Sequence, residues 1–130
     1  APMQLSQFFV KKMGPLSSVI FLGSTLSTIG VPNSASYIIS KHAIAGATKA
    51  ACQDFFKYPN IHTCCICPGF TDTPMLRDLL SESGLVQVAG FVSKNRLLEA
   101  EELARLIYFC AENPSINGSI LQANLGQRNS

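Results

Sequence analysis

The chain is expected to fold as an α/β domain, a partial doubly wound parallel sheet of about three strands with flanking helices. Two observations predict this. Two short, uninterrupted apolar runs, "SSVIFLGS" and "IHTCCICP", are each closed by turn residues and are too brief for helices. They alternate with longer segments of helical character, the order that builds a parallel sheet through right-handed crossovers. No repeat and no linker divides the 130 residues, so residues 1–130 read as one domain.

The elements follow in order. Residues 3–13, "MQLSQFFVKKM", carry Met3, Phe8, Phe9 and Met13 at near-helical intervals and end before Gly14-Pro15, a helix stop. The run "SVIFL" is the first strand, with Ser24 expected at its carboxyl end. A loop rich in Ser, Thr, Gly and Pro leads to a helix over about 35 to 57. "IHTCCICP" is the second strand, stopped by Pro68-Gly69. A short helix near 74 to 83, a loop through about 96, a helix near 99 to 112 and a last strand, "ILQAN", complete the chain.

Composition excludes several function classes. A chain 47% hydrophobic and 14% charged is an ordered globular protein. Net charge is +2, and Lys11-Lys12 is the one adjacent basic pair, so no basic stripe proposes nucleic acid. No apolar run reaches the roughly 18 to 20 residues of a membrane span, and no secretory signal opens the chain. A cytoplasmic location is the default expectation. The chain begins with Ala1, which either removal of an initiator Met or a start inside a longer protein explains.

Five cysteines (Cys52, Cys64, Cys65, Cys67 and Cys110) are spaced poorly for a disulfide framework and read as reduced, buried thiols. In "HTCCIC", His62 and Cys64 alternate onto one strand face and Cys65 and Cys67 onto the other. That arrangement cannot gather four ligands around one ion, so no metal site is expected.

Chemistry concentrates at one sheet edge. In open α/β sheets ligands bind beyond the carboxyl ends of strands, where Ser24, Tyr37 and the segment Pro68 to Thr73 can converge. Tyr37 and Lys41 are helix neighbours at i and i+4. At an effective dielectric of about 20 and a separation of about 4 to 5 Å, the ammonium would stabilise a phenolate by roughly 3 to 4 kcal/mol. Such a Tyr can act as general acid or base on a carbinol oxygen. Ser24 can hydrogen-bond the same oxygen; Ser27 is near enough to replace it. His42 reads as a surface or packing residue, and Asp72 as the cap of the helix after it.

These residues resemble the C-terminal half of a short-chain dehydrogenase/reductase. Tyr37-x-x-x-Lys41 lies thirteen residues after Ser24 in "GSTLSTIGVPNSASY", and "PGFTDTPM" follows about thirty residues later. The resemblance implies a Rossmann-like fold in which Tyr37 is the catalytic acid/base, Ser24 positions substrate, and Lys41 tunes Tyr37 and contacts the nicotinamide ribose. It implies that Pro68 and Gly69 open a segment cupping the nicotinamide, with Thr71 contributing backbone and Thr73 its hydroxyl. The cofactor is NAD or NADP, with NADP the family-level preference, and the substrate a small ketone or secondary alcohol. "QANLGQ" stands where many members carry an acidic residue and two glycines.

Members also begin with a Gly-x-x-x-Gly-x-Gly turn that admits the cofactor pyrophosphate. None of the nine glycines has that spacing, so a truncated product or fragment is expected. The alternative is a non-catalytic remnant serving as an oligomerisation partner or having no activity. "SVIFL" would then expose an apolar edge. The resemblance implies a subunit interface formed by the helices beside that strand, where Ala43, Ala45, Gly46, Ala47, Ala50 and Ala51 would permit close packing and self-association. The segment 75–92 occupies the place of a substrate lid, and its Leu, Val and Phe content suits an apolar substrate.

Overall fold

A computed structural model describes residues 2–14, 16–30 and 32–128. Three parallel strands, β1 (Ser17–Leu22), β2 (Ile61–Pro68) and β5 (Ser119–Ala123), form the main sheet in the order β1-β2-β5. The α/β expectation of about three strands holds. β2 is central, and Ile61 to Cys67 are all buried, so its sequence shows no alternation between core and solvent, with His62 and Thr63 its two buried polar residues. β1 lies at the sheet edge and leaves Leu22 half exposed.

Helices cover the two faces. Against one, α2 (Ala35–Asp54) and α1 (Pro2–Val10) pack Ala51, Phe55 and Val10 onto Phe21, Ile61, Cys65 and Cys67. Against the other, α5 (Ala100–Glu112) packs Leu103, Leu106, Ile107 and Cys110 onto Cys64 and Ile66. The helix expected over 3–13 ends as an α-helix at Val10. Pro15 of its stop signal lies outside the described residues, and Phe8 and Phe9 point outward, stacked edge to face.

The sheet edge differs from expectation in three ways. The single helix near 74 to 83 is two helices, α3 (Pro74–Leu79) and α4 (Glu82–Ala89), so residues expected as loop are helical. Ser81 separates them, because its hydroxyl accepts from the Gly84 N–H at 3.2 Å and starts a new helix. A two-residue bridge, β3 (Thr71–Asp72) with β4 (Leu98–Glu99), anchors this excursion. Finally, β1 ends at Leu22, two residues before Ser24.

The alanine face of α2 is divided. Ala45 and Ala51 are buried in the chain's own core and Ala47 is half-buried against it, whereas Ala43, Gly46 and Ala50 remain exposed. Only the latter three can serve a second copy.

Candidate active site

The carboxyl ends of β1 and β2 and the start of α2 open into one cleft of about 520 Å³. Ser24, Tyr37, Pro68, Gly69, Thr71 and Thr73 line it. Lys41 does not; it stands one turn behind Tyr37, its ammonium 5.6 Å from the ring centre.

Ser24 is held by a capping box. Its hydroxyl oxygen accepts from the Leu26 N–H at 3.2 Å, and the Ser27 hydroxyl oxygen accepts from the Ser24 N–H at 3.0 Å. The Ser24 hydroxyl hydrogen is left free to address the cleft. Ser27 is buried beneath the turn, which removes it as a replacement for Ser24. The neighbouring Thr25 hydroxyl donates to the Pro68 carbonyl at 3.3 Å, which ties the Ser24 turn to the end of β2.

Tyr37 is the third residue of α2, and its side chain is 48% exposed. His42 is exposed, with Nδ1 3.0 Å from the Ile38 carbonyl. After β2, the Gly69 N–H donates to the Ala123 carbonyl at 3.0 Å, extending the ladder to β5. A Cβ on Gly69 would stand 2.8 Å from the Asn124 Cβ and 2.9 Å from Gln127 Oε1. Glycine is therefore the residue that fits between β2 and the chain leaving β5. The Thr71 hydroxyl turns back and donates to the Gly69 carbonyl at 3.1 Å.

Asp72 does not cap α3. Thr73 does, accepting from the Leu76 N–H at 3.2 Å, because Pro74 occupies the first helical position and sets the cap one residue before it. Asp72 instead accepts both guanidinium bonds of Arg77, which holds its carboxyl below the usual range. The Thr73 oxygen is thus committed, while its hydrogen stays available to a ligand.

The fold is matched by comparison with known proteins. A family model described as enoyl-(acyl carrier protein) reductase matches residues 1–127. The chain belongs to the short-chain dehydrogenase/reductase family. A short-chain dehydrogenase of Hypocrea virens is 35% identical over 107 residues, 78% of this chain and 42% of the relative. The dehydrogenase/reductase SDR family member 6 of Xenopus laevis is 34% identical, covering 85% of this chain and 46% of the relative. The chain spans less than half the length of these two curated relatives. Among solved structures, the reductase LugOII, which catalyses keto-reduction at C1 during lugdunomycin biosynthesis, aligns with a TM-score of 0.86 at 27% identity. That alignment covers 97% of this chain and 50% of the reductase. An aldohexose dehydrogenase of Thermoplasma acidophilum aligns at 0.83 and 25% identity, covering 93% and 52%.

Among the residues of this cleft that sequence reasoning missed are Leu26 and Gln127. Leu26 supplies apolar wall with Phe70 of the 68–73 segment and with Met75 and Leu76 of the expected lid, and Gln127 joins it from beyond β5. Gln127 is brought there by a tight turn in which Leu125 (φ 53°) and Gly126 (φ 69°) are both left-handed and the Gln127 N–H donates to the Asn124 carbonyl. That backbone gives a physical reason for the paired glycines that many family members carry over this stretch. Pro74 was the available signal for Thr73. Nothing local marks Gln127.

Proposed function

We propose that this chain carries the proton-transfer edge of an NAD(P)(H)-dependent oxidoreductase that interconverts a ketone and a secondary alcohol on an apolar small molecule. The carrying observation is one cleft lined by Ser24 and Tyr37 together with residues 68–71 and Thr73, in a family whose compared members are named dehydrogenases and reductases. Residues 1–130 act as its single catalytic domain part, and the cytoplasm is its compartment. Among the described residues, no helix is long and apolar enough to cross a membrane.

The donor set suits the nicotinamide end of a dinucleotide. Residues 68–71 line the cleft, and Gln127, which also lines it, has its Oε1 buried without a hydrogen-bond partner among the described residues. The Thr71 backbone and Thr73 hydroxyl would hold the carboxamide, and Tyr37 with Lys41 the ribose hydroxyls. When bound, the nicotinamide supplies or accepts the hydride.

The chain's own residues handle the proton. In the reductive direction Tyr37 donates to the substrate oxygen as negative charge develops there. The Ser24 hydroxyl donates a hydrogen bond to the same oxygen from a turn already fixed by its capping box, so little reorganisation accompanies the step. Lys41 stabilises the phenolate left on Tyr37. Leu26, Phe70, Met75 and Leu76 exclude water and favour an apolar substrate. A second copy of the chain is the proposed partner, packing along Ala43, Gly46 and Ala50.

Nicotinamide fluorescence titration beside turnover tests the reading. Saturable binding retained in Tyr37→Phe with turnover abolished supports it. No binding at millimolar cofactor, or turnover indifferent to Tyr37→Phe, removes it.

A further inference from the structure

The wall of the cleft offers a ligand donors more freely than acceptors. The carbonyls where β2 ends are already engaged: Pro68 accepts from the Thr25 hydroxyl at 3.3 Å, Gly69 from the Thr71 hydroxyl at 3.1 Å, and Phe70 from the Leu98 N–H at 2.9 Å. The Ser24 and Thr73 oxygens accept from the Leu26 and Leu76 N–H groups, both at 3.2 Å. What these two hydroxyls still offer is a hydrogen.

Gln127 is the exception. Its Oε1 is enclosed and makes no hydrogen bond among the described residues, a costly state for a buried carbonyl oxygen. The atom lies over Gly69, 2.9 Å from where a Cβ would stand there, yet the residue as a whole is half-buried and lines the cleft. Its backbone is firmly held. The Gln127 N–H donates to the Asn124 carbonyl at 3.1 Å, the Arg128 N–H donates to the Phe91 carbonyl at 2.7 Å, and Ser93 donates to the Leu125 carbonyl through both its N–H and its hydroxyl. The amide itself is free to turn. The last torsion of a glutamine is broad, and Oε1 has no bond that a turn from Gly69 into the cleft would break.

We propose that Gln127 is a further cofactor-binding residue, whose side-chain oxygen accepts a hydrogen bond from the carboxamide N–H of a bound nicotinamide. The inference rests on the reading of this cleft as a nicotinamide site. A primary carboxamide presents one oxygen and two N–H groups, so it needs acceptors as well as donors. The Thr73 hydrogen suits its oxygen. For an N–H, the carbonyls of residues 68–70 already have partners, whereas the Gln127 oxygen has none to give up. Pairing there gains a hydrogen bond and relieves an unsatisfied group together. The left-handed turn at Leu125 and Gly126 thereby acquires a role, since it carries an acceptor from beyond β5 to the wall at the end of β2.

Isothermal titration calorimetry, which reads binding without turnover, tests this by comparing NADH and NADPH with their 3-acetylpyridine analogues, in which a methyl group replaces the carboxamide NH2. The parent chain should bind the nicotinamide form roughly five- to tenfold more tightly than its analogue. Gln127→Met keeps the length of the side chain and removes the acceptor. It should bind the analogue as the parent does and lose the preference; Gln127→Leu carries the same expectation and serves if the first variant does not fold. Binding of both forms by the parent with equal affinity would overturn the inference alone, and so would a preference undiminished in either variant. Binding of neither form by the parent would remove the nicotinamide reading and this inference with it.

Discussion

The ammonium of Lys41 lies 5.6 Å from the centre of the Tyr37 ring, on the same face of α2 and one turn along it. At an exposed site such a contact contributes about 0.5–1 kcal/mol, enough to orient the two side chains and little more. Its larger effect arises only when Tyr37 loses its proton. A positive charge beside a phenolate lowers the energy of the state reached after proton donation, and among the described residues no carboxylate pairs with Lys41 to cancel it.

Removing the phenol therefore differs from removing the ammonium. Tyr37→Phe should lower turnover by about 10²–10⁴, the usual contribution of a general acid, while cofactor affinity falls only by the loss of one ribose contact. Lys41→Met should weaken both, because the same ammonium is proposed to serve the ribose and the phenolate. Steady-state kinetics beside fluorescence titration separates the two; equal losses of binding in both variants would remove the division of labour.

Gly69→Ala should be harmful out of proportion to its size. The added methyl would meet both the Cβ of Asn124 at 2.8 Å and its backbone Cα at 3.0 Å, and backbone cannot swing away. The ends of β2 and β5 must separate, at a cost of about 1–3 kcal/mol. A urea midpoint measures that cost, and cofactor titration should show a further loss, since residues 68–71 and Thr73 line the cleft.

Gly46 provides the opposite case. It lies inside α2 with open space where a Cβ would go, so Gly46→Ala should stabilise the chain by about 0.5–1 kcal/mol. Gly46→Trp should leave the fold intact and dissociate the proposed dimer, because the bulky ring occupies the surface between Ala43 and Ala50. Light scattering reads the mass. An unchanged mass for Gly46→Trp beside a dimeric parent would sink the interface proposal.

Legibility in the sequence followed how many neighbours each element has. β2 was readable to the residue because burial on both faces demands an unbroken apolar run, and Pro68-Gly69 punctuates its end. α4 was not, since none of its residues is fully buried and Gly84 weakens the helical signal inside it. At the site, Tyr37 and Lys41 were visible through helical spacing. Asp72 was misread as the cap because it is as competent a cap as Thr73, and the choice rests on where Pro74 starts the helix. Gln127 depends on a left-handed turn at Leu125, a residue that does not advertise one.

Glu102 predicts an acid transition at the start of α5. Its carboxylate accepts two bonds from Arg96, at 2.6 and 3.0 Å, and one from the Glu99 N–H at 3.0 Å. These hold its carboxyl down to about 2 from an ordinary value of 4.5, with the Arg96 bonds the leading cause. A depressed folded-state value means the stabilisation is fully present above the unfolded value and disappears as pH falls through the folded one. Thermal midpoints should therefore decline as pH drops from 4.5 toward about 2, in step with protonation of this group. Glu102→Gln keeps an oxygen for the Glu99 N–H but carries no charge, so its melts should lose this part of the pH slope and its dependence on salt. Circular dichroism melts of both proteins across that range decide the matter: parallel curves would mean that the Arg96–Glu102 pair contributes nothing to acid stability.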